Sequence, residues 1–257
     1  MNASRRVALV AGETSGDLLA GLLLKGLKGR WPDLSAVGIG GAAMAKQGFE
    51  AWWSSDKLAV RGYVEVLRHY REIAGIRTQL RERLLQERPD AFIGVDAPDF
   101  NLDLESSLRS AGVKTVHFIC PSIWAWRGSR IKKIKRAVDR VLCLFPFEPE
   151  IYEKAGIAAS YVGHPMASEI PEIVDTAAAK KKMNGGLEGL VIAVLPGSRS
   201  SEIELIGPVF FETIALIAGR LAGQKLHFVV PIATPHLRPA IESLRTNLLI
   251  AHPEIDL

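Results

Sequence analysis

The sequence predicts an α/β fold: a doubly wound parallel sheet followed by an incomplete second unit of the same kind. Three observations carry this. Short β-branched runs alternate with longer stretches of helical spacing, the mark of βαβ units. The runs are continuously apolar, as expected of parallel strands covered on both faces. After a polar, glycine-containing segment, the pattern restarts.

In chain order, the expected strands are VALVAG (7–12), SAVGIGG (35–41), DAFIGVD (90–96), KTVHFIC (114–120), RVLCLF (140–145) and ASYVGH (159–164). Helical spacing runs from Gly16 to Arg30 and from Val64 to Glu87. Residues 1–165 therefore form a first domain. Pro171, an alanine run, Lys180-Lys181-Lys182 and Asn184-Gly185-Gly186 mark a linker over 166–187. The second domain, 188–257, offers LVIAVL (190–195), a helix over Glu202–Leu221, KLHFVV (225–230) and a helix over His236–Leu248, and Glu254-Ile255-Asp256 could begin another strand. Two strands and two helices cannot cover both faces of a parallel sheet, so the chain is expected to stop inside this domain.

Composition narrows the function classes. The 257 residues hold 32 Lys+Arg against 28 Asp+Glu, a net charge of +4, with 48% hydrophobic residues. That excludes global disorder and argues against a nucleic-acid binder. Cys120 and Cys143 lack C-x-x-C spacing, so neither a disulfide framework nor a cysteine zinc site is indicated. Ser4-Arg5-Arg6-Val7 has the look of an export n-region, but Glu13 interrupts the apolar stretch and the segment reads as a first strand. No uncharged apolar run approaches the roughly 18–20 residues that span a bilayer, so membrane contact would be peripheral.

Candidate site residues cluster where strands end. Gly12-Glu13-Thr14-Ser15-Gly16-Asp17 follows the first strand and opens a helix, where glycines allow a tight turn and helix N–H groups can face a polar ligand. It matches neither a dinucleotide fingerprint, a P-loop nor a nucleophile elbow. A plain βα turn with Thr14 or Ser15 as helix cap is the alternative. Asp96-Ala97-Pro98-Asp99-Phe100-Asn101 ends another strand; Asp96 is the better candidate base, unless Asp96 and Asp99 merely cap a helix beginning near Leu102. Pro196-Gly197-Ser198-Arg199-Ser200-Ser201-Glu202 repeats the arrangement with a guanidinium at the helix mouth, suited to a diphosphate. Ser198 as a cap and Arg199 as a solvated loop residue are the alternative. Trp124 and Trp126 precede a basic run from Arg127 to Arg136, which is either a solvated face or a weak attraction to anionic lipid. A hydrolase triad of Ser15, Asp96 and His164 is disfavoured by the missing elbow.

The set VAGETSGD (10–17), EAWW (50–53), VEVL (64–67), GVDAPDFN (94–101), PSIWAWR (121–127), LFPFE (144–148), VGHP (162–165) and LPGSR (195–199) resembles the lipid-A-disaccharide synthase family along essentially the whole chain. The resemblance implies a GT-B glycosyltransferase that joins UDP-2,3-diacylglucosamine to 2,3-diacylglucosamine 1-phosphate in lipid A biosynthesis in Gram-negative bacteria. It further implies Asp96 as general base on the acceptor 6-hydroxyl, Ser15 as a sugar contact and Arg199 as stabiliser of the UDP diphosphate. Gly12, Glu13, Thr14, Gly16, Asp17, Asp99, Asn101, Trp124, Gly197, Ser198 and Glu202 are the expected substrate contacts. No metal or other cofactor is expected, and the implied location is the cytoplasmic face of the inner membrane, held peripherally on an anionic surface. Arg61, Cys120 and Ser168 depart from the family's usual residues. Another UDP-sugar enzyme of this fold, such as an epimerase, and a non-catalytic acyl-lipid binder are the competing readings.

Overall fold

Runs that are apolar on both sides must be covered by helices on both sides, and the first unit is built this way. The computed structural model describes residues 5–58, 63–119, 121, 123, 128–183 and 186–255. The chain divides into two compact units, Met1–Pro171 and Glu172–Leu257.

In the first unit, β1 (Arg6–Ala11), β2 (Ser35–Gly40), β3 (Glu50–Ser54), β4 (Ala91–Val95), β5 (Lys114–Phe118), β6 (Arg140–Cys143) and β7 (Ala159–Tyr161) form one sheet. Their order is β3-β2-β1-β4-β5-β6-β7, and every pairing is parallel. The order changes direction between β1 and β4, which makes the carboxyl ends of that pair the topological switch point where ligands of open α/β sheets bind. The helices are α1 (Thr14–Arg30), α2 (Ala42–Ala45), α3 (Tyr63–Glu87), α4 (Pro98–Ser110), α5 (Ile131–Ala137), α6 (Glu148–Lys154) and α7 (Met166–Glu169).

Alternation along the strands divides the core. Ala8 and Val10 of β1 pack with Ile76, Leu80 and Leu84 of α3 and with Phe100, Leu104 and Leu108 of α4. Leu9 and Ala11 face the other side, against Leu19, Ala20 and Leu24 of α1. Each fully buried leucine among them contributes about 1.5–3 kcal/mol.

Two departures from the sequence reading concern this unit. Strand β3 is not among the expected runs, because it lies at the sheet edge with Trp52 and Trp53 only half-buried and no β-branched residue to mark it. Helix α4 begins at Pro98 rather than near Leu102. Asp96 and Ala97 take left-handed φ values of 51° and 42°, which completes the turn at once, and Pro98 can then start the helix because its φ is already helical.

The second unit contains α8 (Thr176–Lys182), β8 (Leu190–Ala193), α9 (Ser200–Arg220), β9 (Leu226–Val229) and α10 (Arg238–Ala251). Strands β8 and β9 pair in parallel. Ile203, Phe211 and Ile214 of α9, Phe228 of β9, and Ile241 and Leu248 of α10 share its core.

Candidate functional site

At the switch point, the first turn is shaped by what it touches. Gly12 is buried, and a Cβ placed there would lie 3.0 Å from Cβ of Ala97, so the β1–α1 turn abuts the β4–α4 turn. Glu13 occupies the N-cap position of α1 in extended conformation, without a side-chain cap bond. Thr14 and Ser15 are therefore the first two helical residues, with exposed side chains, and do not cap. Gly16 is buried against the end of β4, where a Cβ would make ordinary contact with the Val95 carbonyl. Asp17 faces elsewhere. Only 5% exposed, it accepts hydrogen bonds from the backbone N–H groups of Gly41, Ala43 and Met44. Read from the sequence as a substrate contact, Asp17 is instead committed to holding the start of α2.

The second turn is the strained one. Among the described residues, four non-glycines have positive φ; Asp96, Ala97 and Ile119, at 70°, are three of them, and all lie at the carboxyl ends of the neighbouring strands β4 and β5. Such conformations cost about 1–3 kcal/mol each and persist where the surroundings over-determine them. Here the Asp96 N–H donates to the Phe118 carbonyl at 2.9 Å. The Asp96 carbonyl accepts from Asn101 Nδ2 at 2.8 Å. Asp96 is left half-buried at the strand end, a position from which a carboxylate can meet a substrate hydroxyl. Asn101, expected as a substrate contact, is fully buried beneath the turn.

Below Asp96 lies a polar cluster that sequence reasoning missed. Glu105 and His117 are both fully buried, with Oε1 of one 2.7 Å from Nδ1 of the other. Their only sequence signal is that Glu105 follows Asn101 by one helical turn beside the apolar stripe Phe100, Leu104, Leu108. Asp99 is exposed and pairs with Arg130.

In the second unit, the loop before α9 turns at Gly197, whose φ is 139°. A Cβ there would fall 2.5 Å from Cβ of Glu202. Glu202 Oε2 accepts the Ser198 N–H at 2.8 Å, and its other oxygen pairs with the Arg199 guanidinium. The Ser198 N–H and the adjacent Arg199 together hold the Glu202 carboxyl below the usual carboxylate range. Glu202 thus staples the loop back onto the first turn of α9, and Arg199, the N-cap residue, is drawn to the helix mouth.

The structure brings Gly12, Glu13, Thr14, Ser15 and Gly16 next to Asp96 at adjacent strand ends, while Gly197, Ser198, Arg199 and Glu202 form their own group in the second unit. Trp124, Trp126, Arg127, Arg61 and Cys120 lie outside the described residues. His164 is exposed, and its Nδ1 accepts the Met166 N–H. Among the described residues, no group of three His, Cys, Asp or Glu converges as a metal site, and no helix is long and apolar enough to cross a membrane.

Comparison with known proteins adds to this geometry. Residues 7–255 match the family model described as lipid-A-disaccharide synthetase. The chain is 58% identical over 251 residues to the lipid-A-disaccharide synthase of Burkholderia mallei, covering 97% of this chain and 63% of that protein. It is 57% identical over 252 residues to the one of Albidiferax ferrireducens, covering 97% and 64%. The chain thus spans under two thirds of the length of these curated relatives. Among solved structures, a UDP-GlcNAc 2-epimerase from Neisseria meningitidis bound to UDP-GlcNAc aligns with a TM-score of 0.64 at 12% identity, over 98% of this chain and 71% of that one. A putative UDP-N-acetylglucosamine 2-epimerase from Listeria monocytogenes aligns at 0.65 and 11%, over 100% and 69%. These likenesses show a shared GT-B-like fold. Family match and close relatives extend through the strand-end turns of both units, and the chain belongs to the lipid-A-disaccharide synthetase family.

Proposed function

We propose that the whole protein is an inverting glycosyltransferase that joins UDP-2,3-diacylglucosamine to 2,3-diacylglucosamine 1-phosphate and releases UDP. The observation that carries this reading is the Asp96–Ala97 left-handed pair at the switch point, which sets a half-buried carboxylate beside the glycine turn of β1. In the proposed step, Asp96 takes the proton of the acceptor 6-hydroxyl as its oxygen attacks the anomeric carbon of the donor. The bond from that carbon to the UDP oxygen breaks on the opposite face, and UDP leaves with the electron pair, which inverts the centre.

Ser15, exposed on the first turn of α1, is assigned to a sugar hydroxyl. Negative charge accumulating on the leaving diphosphate is assigned to Arg199 and the N–H groups opening α9. With those positive groups no metal is required. Acyl chains on both substrates call for a membrane-surface enzyme, and the exposed Lys132, Lys135 and Arg136 of α5 suit anionic lipid at a cytoplasmic leaflet.

The test is UDP release in the presence of acceptor lipid, with the product disaccharide identified. A transferase consumes acceptor and donor in equal amounts. An epimerase, suggested by the fold of the solved neighbours, would interconvert UDP-sugars without acceptor, and an acyl-lipid binder would do neither; either result overturns the proposal.

A further inference from the structure

We infer that Asn101, Glu105 and His117 are positioning residues for Asp96, a role that rests on reading Asp96 as the base. The Asn101 amide is tied to three backbone carbonyls at the ends of β1 and β4. Nδ2 lies 2.8 Å from the Asp96 oxygen, 3.4 Å from that of Val10 and 3.5 Å from that of Val95. The closest of the three belongs to the residue whose side chain does the chemistry, so the amide aims directly at the strained turn.

What aims Asn101 is a notch in β4. A Cβ on Gly94 would meet Asn101 Cβ at 2.9 Å and Cγ at 3.0 Å, and Glu105 Oε1 at 2.2 Å. Glycine therefore leaves the space into which two polar side chains, one turn apart on α4, are keyed. His117 stands opposite Gly94 in the β4–β5 register and binds the same Glu105 oxygen. Helix α4 thus seats on the sheet at one discrete position, and its N-terminus carries the Asp96–Ala97 turn.

Packing alone would not select this arrangement. Phe100, Leu104 and Leu108 already bury the inner face of α4. Among the described residues, Asn101 Oδ1, Glu105 Oε2 and His117 Nε2 are buried with no hydrogen-bond partner, so the cluster is a poorer source of stability than an apolar one of the same volume. Its gain is directional: a fixed donor on the Asp96 carbonyl, where two consecutive non-glycine residues would otherwise relax from left-handed φ.

The test uses the full-length protein, with kcat, both KM values and the unfolding midpoint measured for each variant. Asn101→Ala and Asn101→Asp are expected to lower kcat about tenfold or more while KM values stay within about threefold, since misplacing a catalytic group costs turnover. Glu105→Leu should behave likewise, and Glu105→Gln, which keeps the bond to His117, should recover kcat to within about threefold of wild type. Leu104→Ala is the stability control, expected to lower the midpoint at least as far with kcat within about twofold. If the Asn101 variants do not fold, the Glu105 pair decides. Turnover that tracks the fall in midpoint across all the variants, Leu104→Ala included, overturns the inference. Asp96→Asn separates the two readings: roughly 10²–10⁴-fold loss there beside normal turnover in the Asn101 and Glu105 variants sinks positioning only, and normal turnover in Asp96→Asn sinks Asp96 as base.

Discussion

Asp17 Oδ1 accepts the Gly41 N–H at 2.7 Å, so an acidic residue of the first strand-end turn fastens the start of a different helix, α2. Gly41 leaves room for it, because a Cβ there would lie 2.7 Å from Asp17 Oδ2. Asp17→Ala removes the acceptor of three backbone donors and is expected to destabilise the first unit by at least about 3 kcal/mol, hydrogen bonds to a buried charge being worth about 1.5–3 kcal/mol each and not adding in full when they share one acceptor group. Ser15→Ala, at an exposed side chain two residues earlier, should change stability by less than about 0.5 kcal/mol. Thermal and urea melts of the two variants check the contrast, and equal melts would return Asp17 to the ligand role.

Gly197→Ala should act on the donor. Its φ and the 2.5 Å approach to Glu202 Cβ leave no room for a side chain, so the loop that carries Ser198 and Arg199 must move. The expected outcome is a rise in the KM for the UDP-sugar of about tenfold, since one well-placed charged hydrogen bond is worth about 1.5–3 kcal/mol. UDP affinity by calorimetry is the direct measure; unchanged affinity would remove this loop from the donor site.

Asp139 links β5 and α4 in a pH-dependent way. Its Oδ2 accepts the Thr115 N–H at 2.9 Å and its Oδ1 the Arg109 Nε at 3.1 Å. Partial burial works against the charge, but the Thr115 N–H and the Arg109 guanidinium outweigh it and hold the carboxyl below its ordinary 3.8. A folded pKa that is depressed contributes stability above the unfolded value and loses it as pH falls through the folded one. Asp139→Asn should therefore cost about 1 kcal/mol near neutrality, a modest figure because the pair is partly exposed. The difference from wild type should shrink as pH drops below about 4. Melts across that range test the sign.

Lys132, Lys135 and Arg136 are exposed on α5, whereas Lys133 is engaged by Asp103. Reversing the three exposed charges to glutamate is expected to weaken binding to anionic vesicles at least tenfold, each cation near such a surface being worth roughly 1 kcal/mol. Flotation at low and high salt reads this out. Binding indifferent to both lipid charge and these substitutions would place the membrane contact elsewhere.

Much of the fold was legible because buried parallel strands announce themselves. The expected strands fall on β1, β2, β4 to β9 with ends shifted by a few residues. Strand β3 escaped because an edge strand need not be apolar on both faces, and Glu50-Ala51-Trp52-Trp53 is half in water. The turn after β4 was legible as chemistry but not as geometry: nothing in Asp96-Ala97-Pro98 announces two left-handed residues, a conformation imposed by contacts with Phe118 and Asn101 that are distant or hidden in a helix. His117 escaped because one polar residue inside the expected strand KTVHFIC carries no sign of its partner until Glu105 is seen against it.

The central strand has a consequence for biosynthesis. Val7 pairs with Ala36 on one side and with Ala91 on the other, so β1 can acquire its first neighbour early but must wait for most of the first hundred residues before the second reaches it. At ordinary translation speeds that interval is on the order of ten seconds. Throughout it, a strand with Leu9 and Val10 in its middle keeps one edge unpaired while α3 is still being made. The nascent chain consequently carries an unpaired β1 edge until Val95 has left the ribosome, and substitutions that slow closure of β1 on β4 are expected to lower yield in cells even where the finished protein is unharmed.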